Sequence, residues 1–227
     1  MYLDKKILAI IPARGGSKSV PRKNLRKICG KSLLQRAIEE SRQSRFIDRL
    51  ILSSEDDEII EEARKYDCEV PFKRPLVLAE DDSSSEEVVF DVLQRIQGYD
   101  MVVLIQVTSP LLLSDDIDGC IKKCVDNNAD SCATVCEVNK SPYWMFKDDG
   151  GFLIPLMGRE NLNKRRQDLP QVLITNGAVY VAKVDFFMEY KDFFYGNNTV
   201  GYLVPNDRSL DIDSEADLIK AEIILAK

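Results

Sequence analysis

Residues 6–24 read KILAIIPARGGSKSVPRKN. The aliphatic run from Ile7 to Ile11 shows no polar alternation, as expected of a strand covered on both faces. It gives way at once to a loop carrying Gly15 and Gly16 among Arg14, Lys18, Arg22 and Lys23. A buried strand ending in a flexible cationic loop is a pattern in which backbone amides and fixed positive charge meet phosphate. The two glycines would let the backbone approach phosphate oxygens, and the four cations would neutralise them. Neither G-x-x-x-x-G-K-[ST] nor G-x-G-x-x-G occurs, so ordinary ATPase and dinucleotide readings are unsupported. The plain alternative is a solvated basic turn between a strand and a helix.

Working outward, strand and helix signatures alternate. SLLQRAIEESRQS (32–44) and DEIIEEARKY (57–66) have helical periodicity and flank RLILSS (49–54), which reads as a strand. In SSSEEVVFDVLQRIQ (83–97), Ser83, Ser84 or Ser85 caps a helix whose first turn holds Glu86 and Glu87. MVVLIQV (101–107) is another wholly buried strand. The expected fold is α/β: a Rossmann-like, doubly wound, mostly parallel sheet with ligands at the carboxyl ends of its strands. Beyond about residue 139 the rhythm changes. Residues 139–172 offer a Gly-Gly turn and short apolar pieces, read as an inserted hairpin or small subdomain within one domain spanning 1–227. GAVYVAK (177–183) and TVGYLVP (199–205) are further strands, and SEADLIKAEIILAK (214–227) is a closing helix.

The chain has 227 residues, 44% hydrophobic and 30% charged, with a formal net charge of −7. That balance argues against nucleic-acid binding, yet Arg14 to Lys31 contains seven basic residues and no acidic one. A basic island in an acidic protein points to a small anionic ligand. No segment suits a membrane span, and the N-terminus lacks a signal-peptide layout, so cytoplasmic residence is expected. There is no histidine, which leaves acid/base work to carboxylates, lysine, tyrosine or a metal-bound group. Cys120 and Cys124 lie in a helical pattern, and Cys132 and Cys136 in a strand. Their spacing is a weak invitation to zinc, because each pair can simply point into the core.

Three more stretches can carry chemistry. In DIDSEAD (211–217), Asp211 and Asp213 face one side if Ile212 points inward, and could then hold a hard cation. Alternatively, Asp213 or Ser214 caps the last helix. LIQVTSP (104–110) brings Gln106, Thr108 and Ser109 to the end of a buried strand, with Ser114 or Asp115 as the expected cap of the helix that follows. In NKRRQDLP (163–170), Arg165 or Arg166 could clamp a carboxylate, and Asn176 in TNGAVY (175–180) could bond a substrate or tighten a turn.

The ordered set IPARGGSKSVPRKN, RPLVLAEDDSSS, QVTSP, RRQDLP, NGAVY and DIDSEAD resembles the acylneuraminate cytidylyltransferases, or CMP-sialic acid synthetases, over nearly the whole chain. The resemblance implies a Rossmann-like domain with a small dimerisation element at 139–172, hence a homodimer. It implies transfer of CMP from CTP to the anomeric hydroxyl of a nine-carbon 2-keto sugar acid, with release of pyrophosphate, in cell-surface polysaccharide biosynthesis. Arg14, Gly15, Gly16, Ser17, Lys23 and Asn24 would bind the nucleotide with Arg74 and Ser85. Gln106, Arg166 and Asn176 would bind the sugar acid, and Arg14, Lys23 and Asp211 would act in catalysis. Asp211 and Asp213 would hold Mg²⁺, with Mn²⁺ as a substitute. A metal-assisted hydroxyl or Asp211 would supply the base. The chain departs from the family pattern at Leu112, Ile174 and Thr175, where arginine, arginine and proline are frequent. Those positions lie near the sugar half, so neuraminic, legionaminic and pseudaminic acids all stay open. The competing readings are a Kdo-type nucleotidyltransferase, a metal-dependent glycosyltransferase and a non-catalytic nucleotide-binding protein.

Overall fold

The computed structural model describes residues 1–226. Its centre is a six-stranded sheet formed by β1 (Ile7–Pro12), β4 (Arg49–Ser53), β5 (Met101–Ile105), β6 (Ser131–Glu137), β9 (Leu173–Lys183) and β10 (Thr199–Leu203), in the order β10-β6-β9-β5-β1-β4. β1 runs parallel to β4 and β5, and β10 parallel to β6, while β9 lies antiparallel between β5 and β6. The mostly parallel, doubly wound expectation therefore holds.

Two apolar layers cover the sheet, and β1 shows why its sequence is apolar throughout. Ile7, Ala9 and Ile11 face the layer of α1 (Leu33–Gln43), α2 (Asp57–Lys65), α4 (Ser114–Asp126) and α6 (Glu215–Leu225). Leu8 and Ile10 face α3 (Ser85–Arg95) and α5 (Val184–Tyr190). Alternate side chains of one strand thus go to opposite cores, each large aliphatic contributing about 1.5 to 3 kcal/mol relative to exposure. Cys120, Cys124 and Cys132 belong to the first core, with the Sγ atoms of Cys120 and Cys132 3.3 Å apart. The cysteine spacing serves packing between α4 and β6.

Helix ends follow local chemistry. Ser32 Oγ caps α1 by accepting from the Gln35 N–H at 3.0 Å. Ser84 is the cap of α3: its hydroxyl accepts from the Glu87 N–H, and the Glu87 carboxylate accepts from the Ser84 N–H. Ser214 caps α6 in the same reciprocal way with Asp217. The cap expected for α4 is corrected. Ser114 and Asp115 already lie within or beside the first helical turn, Leu113 occupies the cap position, and the Asp116 carboxylate accepts its N–H at 3.1 Å. An acidic side chain three residues into the helix does the work of a polar cap.

Three elements were not read from the sequence: the small hairpin of β2 (Lys27–Ile28) and β3 (Lys31–Ser32), and α5. Within 139–172 the expected hairpin is present, as antiparallel β7 (Phe146–Asp149) and β8 (Phe152–Pro155). Its Gly150 and Gly151 both take positive φ, which glycine adopts without strain.

Candidate active site

The carboxyl ends of β1 and β5 open into a cleft of about 430 Å³, within the range of small-molecule sites. Its lining joins the first loop, the segment before α3 and the end of β5: Arg14, Gly16, Ser17, Lys18, Lys23 and Asn24 with Arg74, Asp81, Ser85, Gln106, Thr108 and Asp213. Residues separated by almost 200 positions thereby surround one space.

The loop is held from below. Asn24 is buried and donates from Nδ2 to the Arg14 carbonyl at 2.9 Å, closing the loop on itself. The Gly15 N–H donates to Glu55 Oε1 at 2.7 Å, and a Cβ on Gly15 would stand 2.3 Å from Asp56 Oδ2. Gly15 is therefore needed to seat the loop on the start of α2, whereas Gly16 has open space and lines the cleft. Arg22 turns away from the cleft and pairs with Asp56 at 2.6 Å and with Glu58. Its expected place among the phosphate-neutralising cations is corrected: two carboxylates at the N-terminus of α2 claim it. Burial alone would raise the Asp56 carboxyl, but Arg22 and the N–H groups of Ile59 and Glu58 outweigh it and hold it below the ordinary range.

Lys23 spans from this loop to the carboxylate segment. Its Nζ donates to the Ile212 carbonyl at 2.6 Å and lies 3.7 Å from Asp213 Oδ1. Beside it, Arg26 makes a two-point contact with Glu215 at 2.6 and 2.9 Å. Ile212 is fully buried; Asp213 is exposed and lines the cleft, whereas Asp211 is partly buried beside Thr108 and Gly177 and is not among the lining residues. Ser214 provides the helix cap, leaving Asp213 exposed and uncommitted to that task. Burial pushes the Asp211 carboxyl above the ordinary aspartate range; Asp213 adds to the rise, while Thr108 and Lys23 oppose it. Asp211 Oδ1 is buried with no hydrogen-bond partner among the described residues.

The far wall is rigid. Arg74 is buried, its Nε donating to Ser53 Oγ at 3.2 Å and its Nη1 to the Leu78 carbonyl at 3.3 Å. Its guanidinium ties the 75–79 turn to β4 while facing the cleft. Burial holds its pKa below the ordinary arginine value. Gln106 Nε2 donates to Ser85 Oγ at 3.0 Å, joining the end of β5 to the first turn of α3.

Two expected sugar-acid residues lie elsewhere. Asn176 is buried in an irregularity between β6 and β9, where its Oδ1 accepts from Thr134 Oγ1 at 2.6 Å and its Nδ2 donates to Ser209 Oγ at 3.1 Å. Asn176 lies within β9 and not in a chain turn; its Oδ1 also accepts the Ala178 N–H at 3.2 Å, so its side chain braces the strand irregularity. Arg166 donates to the Val138 carbonyl at 3.0 Å and lines a separate groove of about 440 Å³ with Glu137, Ser141 and Gln171. The two clefts share no lining residue. Glu55 and Asp81 were missed by sequence reasoning. Their only signal is an acidic residue just after a strand end and another beside a serine-rich helix start.

The class is that of a doubly wound α/β sheet whose cationic loop, at the carboxyl end of β1, shares a cleft with Asp213. Residues 8–200 match the family model for cytidylyltransferases, and the chain belongs to that family. It is 33% identical over 223 residues to a pseudaminic acid cytidylyltransferase of Campylobacter jejuni, covering 96% of each chain. It is also 31% identical to an N-acylneuraminate cytidylyltransferase of Streptococcus agalactiae, over 94% of this chain and 52% of that protein. A CMP-N,N'-diacetyllegionaminic acid synthase of Campylobacter jejuni is 29% identical over 97% of this chain and 95% of its own. Among solved structures, a CMP-2-keto-3-deoxy-manno-octonic acid synthetase complexed with CTP superposes with a TM-score of 0.77 at 17% identity, covering 97% of this chain and 98% of that one. That likeness supports the fold.

Proposed function

We propose that this protein transfers CMP from CTP to the anomeric hydroxyl of a nonulosonic acid and releases pyrophosphate. The observation that carries the reading is the Lys23 bridge, which ties the cationic loop to the Ile212–Asp213 segment so that Lys23 and Asp213 line one cleft. In this reading Arg14, Lys18, Lys23 and the backbone of Gly16 bind the phosphates, aided by the N-terminus of α3. Arg74 and Ser85 form the wall beside the nucleoside, and Gln106, fixed by Ser85, meets the acceptor. The hydroxyl attacks the α-phosphorus in line with the departing pyrophosphate, a step that depends on positioning and charge stabilisation.

Asp211 and Asp213 have the oxygen donors a hard cation takes: one buried Asp211 oxygen lacks a partner, and the Asp213 carboxylate two residues on is exposed. They would hold Mg²⁺, with Mn²⁺ as a substitute. Such an ion, when bound, neutralises charge on the phosphates. With no histidine in the chain, a metal-assisted hydroxyl or Asp211 would supply the base in this reading. Arg166 belongs to the acceptor side only if the 139–172 segment moves toward a cleft, its own or that of a second copy.

The exposed apolar hairpin supports a homodimer, and six free cysteines suit a reducing cytoplasm. No helix among the described residues is long and apolar enough to cross a membrane. The test is product analysis by mass spectrometry after incubation with CTP, Mg²⁺ and, separately, N-acetylneuraminic, diacetyllegionaminic, pseudaminic and Kdo acids. A CMP adduct of a nine-carbon acid is expected. An adduct with Kdo alone would overturn the acceptor class.

A further inference from the structure

Resting on the proposed nucleotide site, a second feature of the cleft concerns how its cations are kept. Arg14 and Lys18 meet one carboxylate, that of Asp81: Oδ1 lies 3.4 Å from Arg14 Nη2 and Oδ2 lies 2.5 Å from Lys18 Nζ. Arg14 Nη1 also donates to the Glu80 carbonyl at 2.7 Å. These contacts hold a short strap, Glu80–Ser83, against the cleft, which Asp81 and Ser83 help to line. The strap is itself a turn: the Ser83 N–H donates to the Glu80 carbonyl and Ser83 Oγ to the Val77 carbonyl at 2.7 Å. It leads directly into Ser84, the cap of α3. Lys18, then Arg14, hold the Asp81 carboxyl below its ordinary range, so it is an anion throughout neutral pH. Its neighbour Asp82 is exposed and forms no ion pair among the described residues.

We propose that Asp81 is an internal counter-anion of the phosphate subsite, and that a polyphosphate binds by taking Arg14 and Lys18 from it and releasing the 80–83 strap. The exchange is physically cheap. Lys18 is largely exposed and Asp81 about half so; ion pairs at such groups are weak, and a polyphosphate offers several oxygens and more charge to the same cations. The carboxylate and the incoming anion repel each other, so the pairs open as the ligand settles. An internal competitor lowers the apparent affinity of every ligand that must displace it by one common factor, the fraction of molecules with the cations free. CTP and the product pyrophosphate therefore feel Asp81 alike, while a sugar acid that does not use Arg14 and Lys18 does not. The device weakens the hold on product as well as on substrate, which favours release.

The experiment is isothermal titration of the full-length protein and of the variants Asp81→Asn and Asp82→Asn with CTP and, separately, inorganic tripolyphosphate. Both substitutions remove one negative charge from the same strap, but only the first removes the counter-anion. Asp81→Asn should tighten both ligands by a common factor of about three to ten, and Asp82→Asn by less than about twofold. Unchanged or weaker binding by Asp81→Asn overturns the inference, as does an equal gain from Asp82→Asn, which would reduce the effect to net charge. Wild-type protein that binds tripolyphosphate but not CTP would leave the counter-anion intact and defeat the nucleotide reading. Wild-type protein that binds neither would defeat both.

Discussion

Two aspartates with opposite environments show how single residues divide the labour of this site. Asp211 is buried, raised in pKa, and left with one unpartnered oxygen. A carboxyl whose folded pKa is raised costs stability while ionised, and that cost disappears on acidification. Asp211→Asn should therefore melt at or above the wild type without metal. Mg²⁺ should raise the melting temperature of the wild type but not of the variant, and turnover should fall by on the order of 100-fold or more. Thermal shift with and without Mg²⁺, beside a rate measurement, checks this, and a variant stabilised by Mg²⁺ like the wild type would remove Asp211 from the cation site. Asp56 behaves conversely: its folded pKa is depressed, so its stabilisation is present above the unfolded aspartate value and is lost as pH falls through the folded one. Asp56→Asn keeps a competent helix cap and should cost about 0.5 to 1 kcal/mol at pH 7, allowing for solvent around the partly exposed Arg22. Denaturant titrations should show that difference shrinking as the pH falls below the ordinary aspartate range. A constant gap across pH would mean that packing, not charge, explains it.

At the scale of elements, the hairpin of β7 and β8 is unlike the rest of the molecule. Phe152 and Leu153 are 75% and 65% exposed, and Ile154, Leu156 and Met157 are exposed beside them, so both faces of the ribbon carry apolar side chains. A two-stranded ribbon of this size has little stability of its own and gains it by burying such a face. In the dimer reading, Phe152→Asp with Leu153→Asp should shift the protein from dimer to monomer in analytical ultracentrifugation while leaving the folded signal intact. A wild type that is already monomeric would contradict that reading. Elements also show what was legible in advance. β1, β5 and α3 were plain because aliphatic runs and serine caps act locally. The cap of α4 was not, because Asp116 reaches back from inside the helix to a leucine. Nor was the fate of Arg22, whose partners lie 34 and 36 residues further along.

For the whole molecule, the doubly wound topology places the ends of β1 and β5 side by side, which brings Arg14 and Gln106 to one cleft, while the tie of Arg74 to β4 and of Lys23 to the 212–213 segment adds Arg74 and Asp213. That convergence could be anticipated from motifs spaced along the chain. The separation of Arg166 and the inward use of Asn176 could not, since both follow from the register of β6 and β9 and its irregularity opposite Thr134. The central claim is that this convergence performs cytidylyl transfer and does not merely bind nucleotide. The most direct measurement is continuous pyrophosphate release from CTP, with and without a nonulosonic acid and Mg²⁺, and with ATP, GTP and UTP in its place. Pyrophosphate is expected only when CTP, the sugar acid and Mg²⁺ are all present. Binding of CTP with no pyrophosphate released under any of these conditions would contradict it and leave a nucleotide-binding protein.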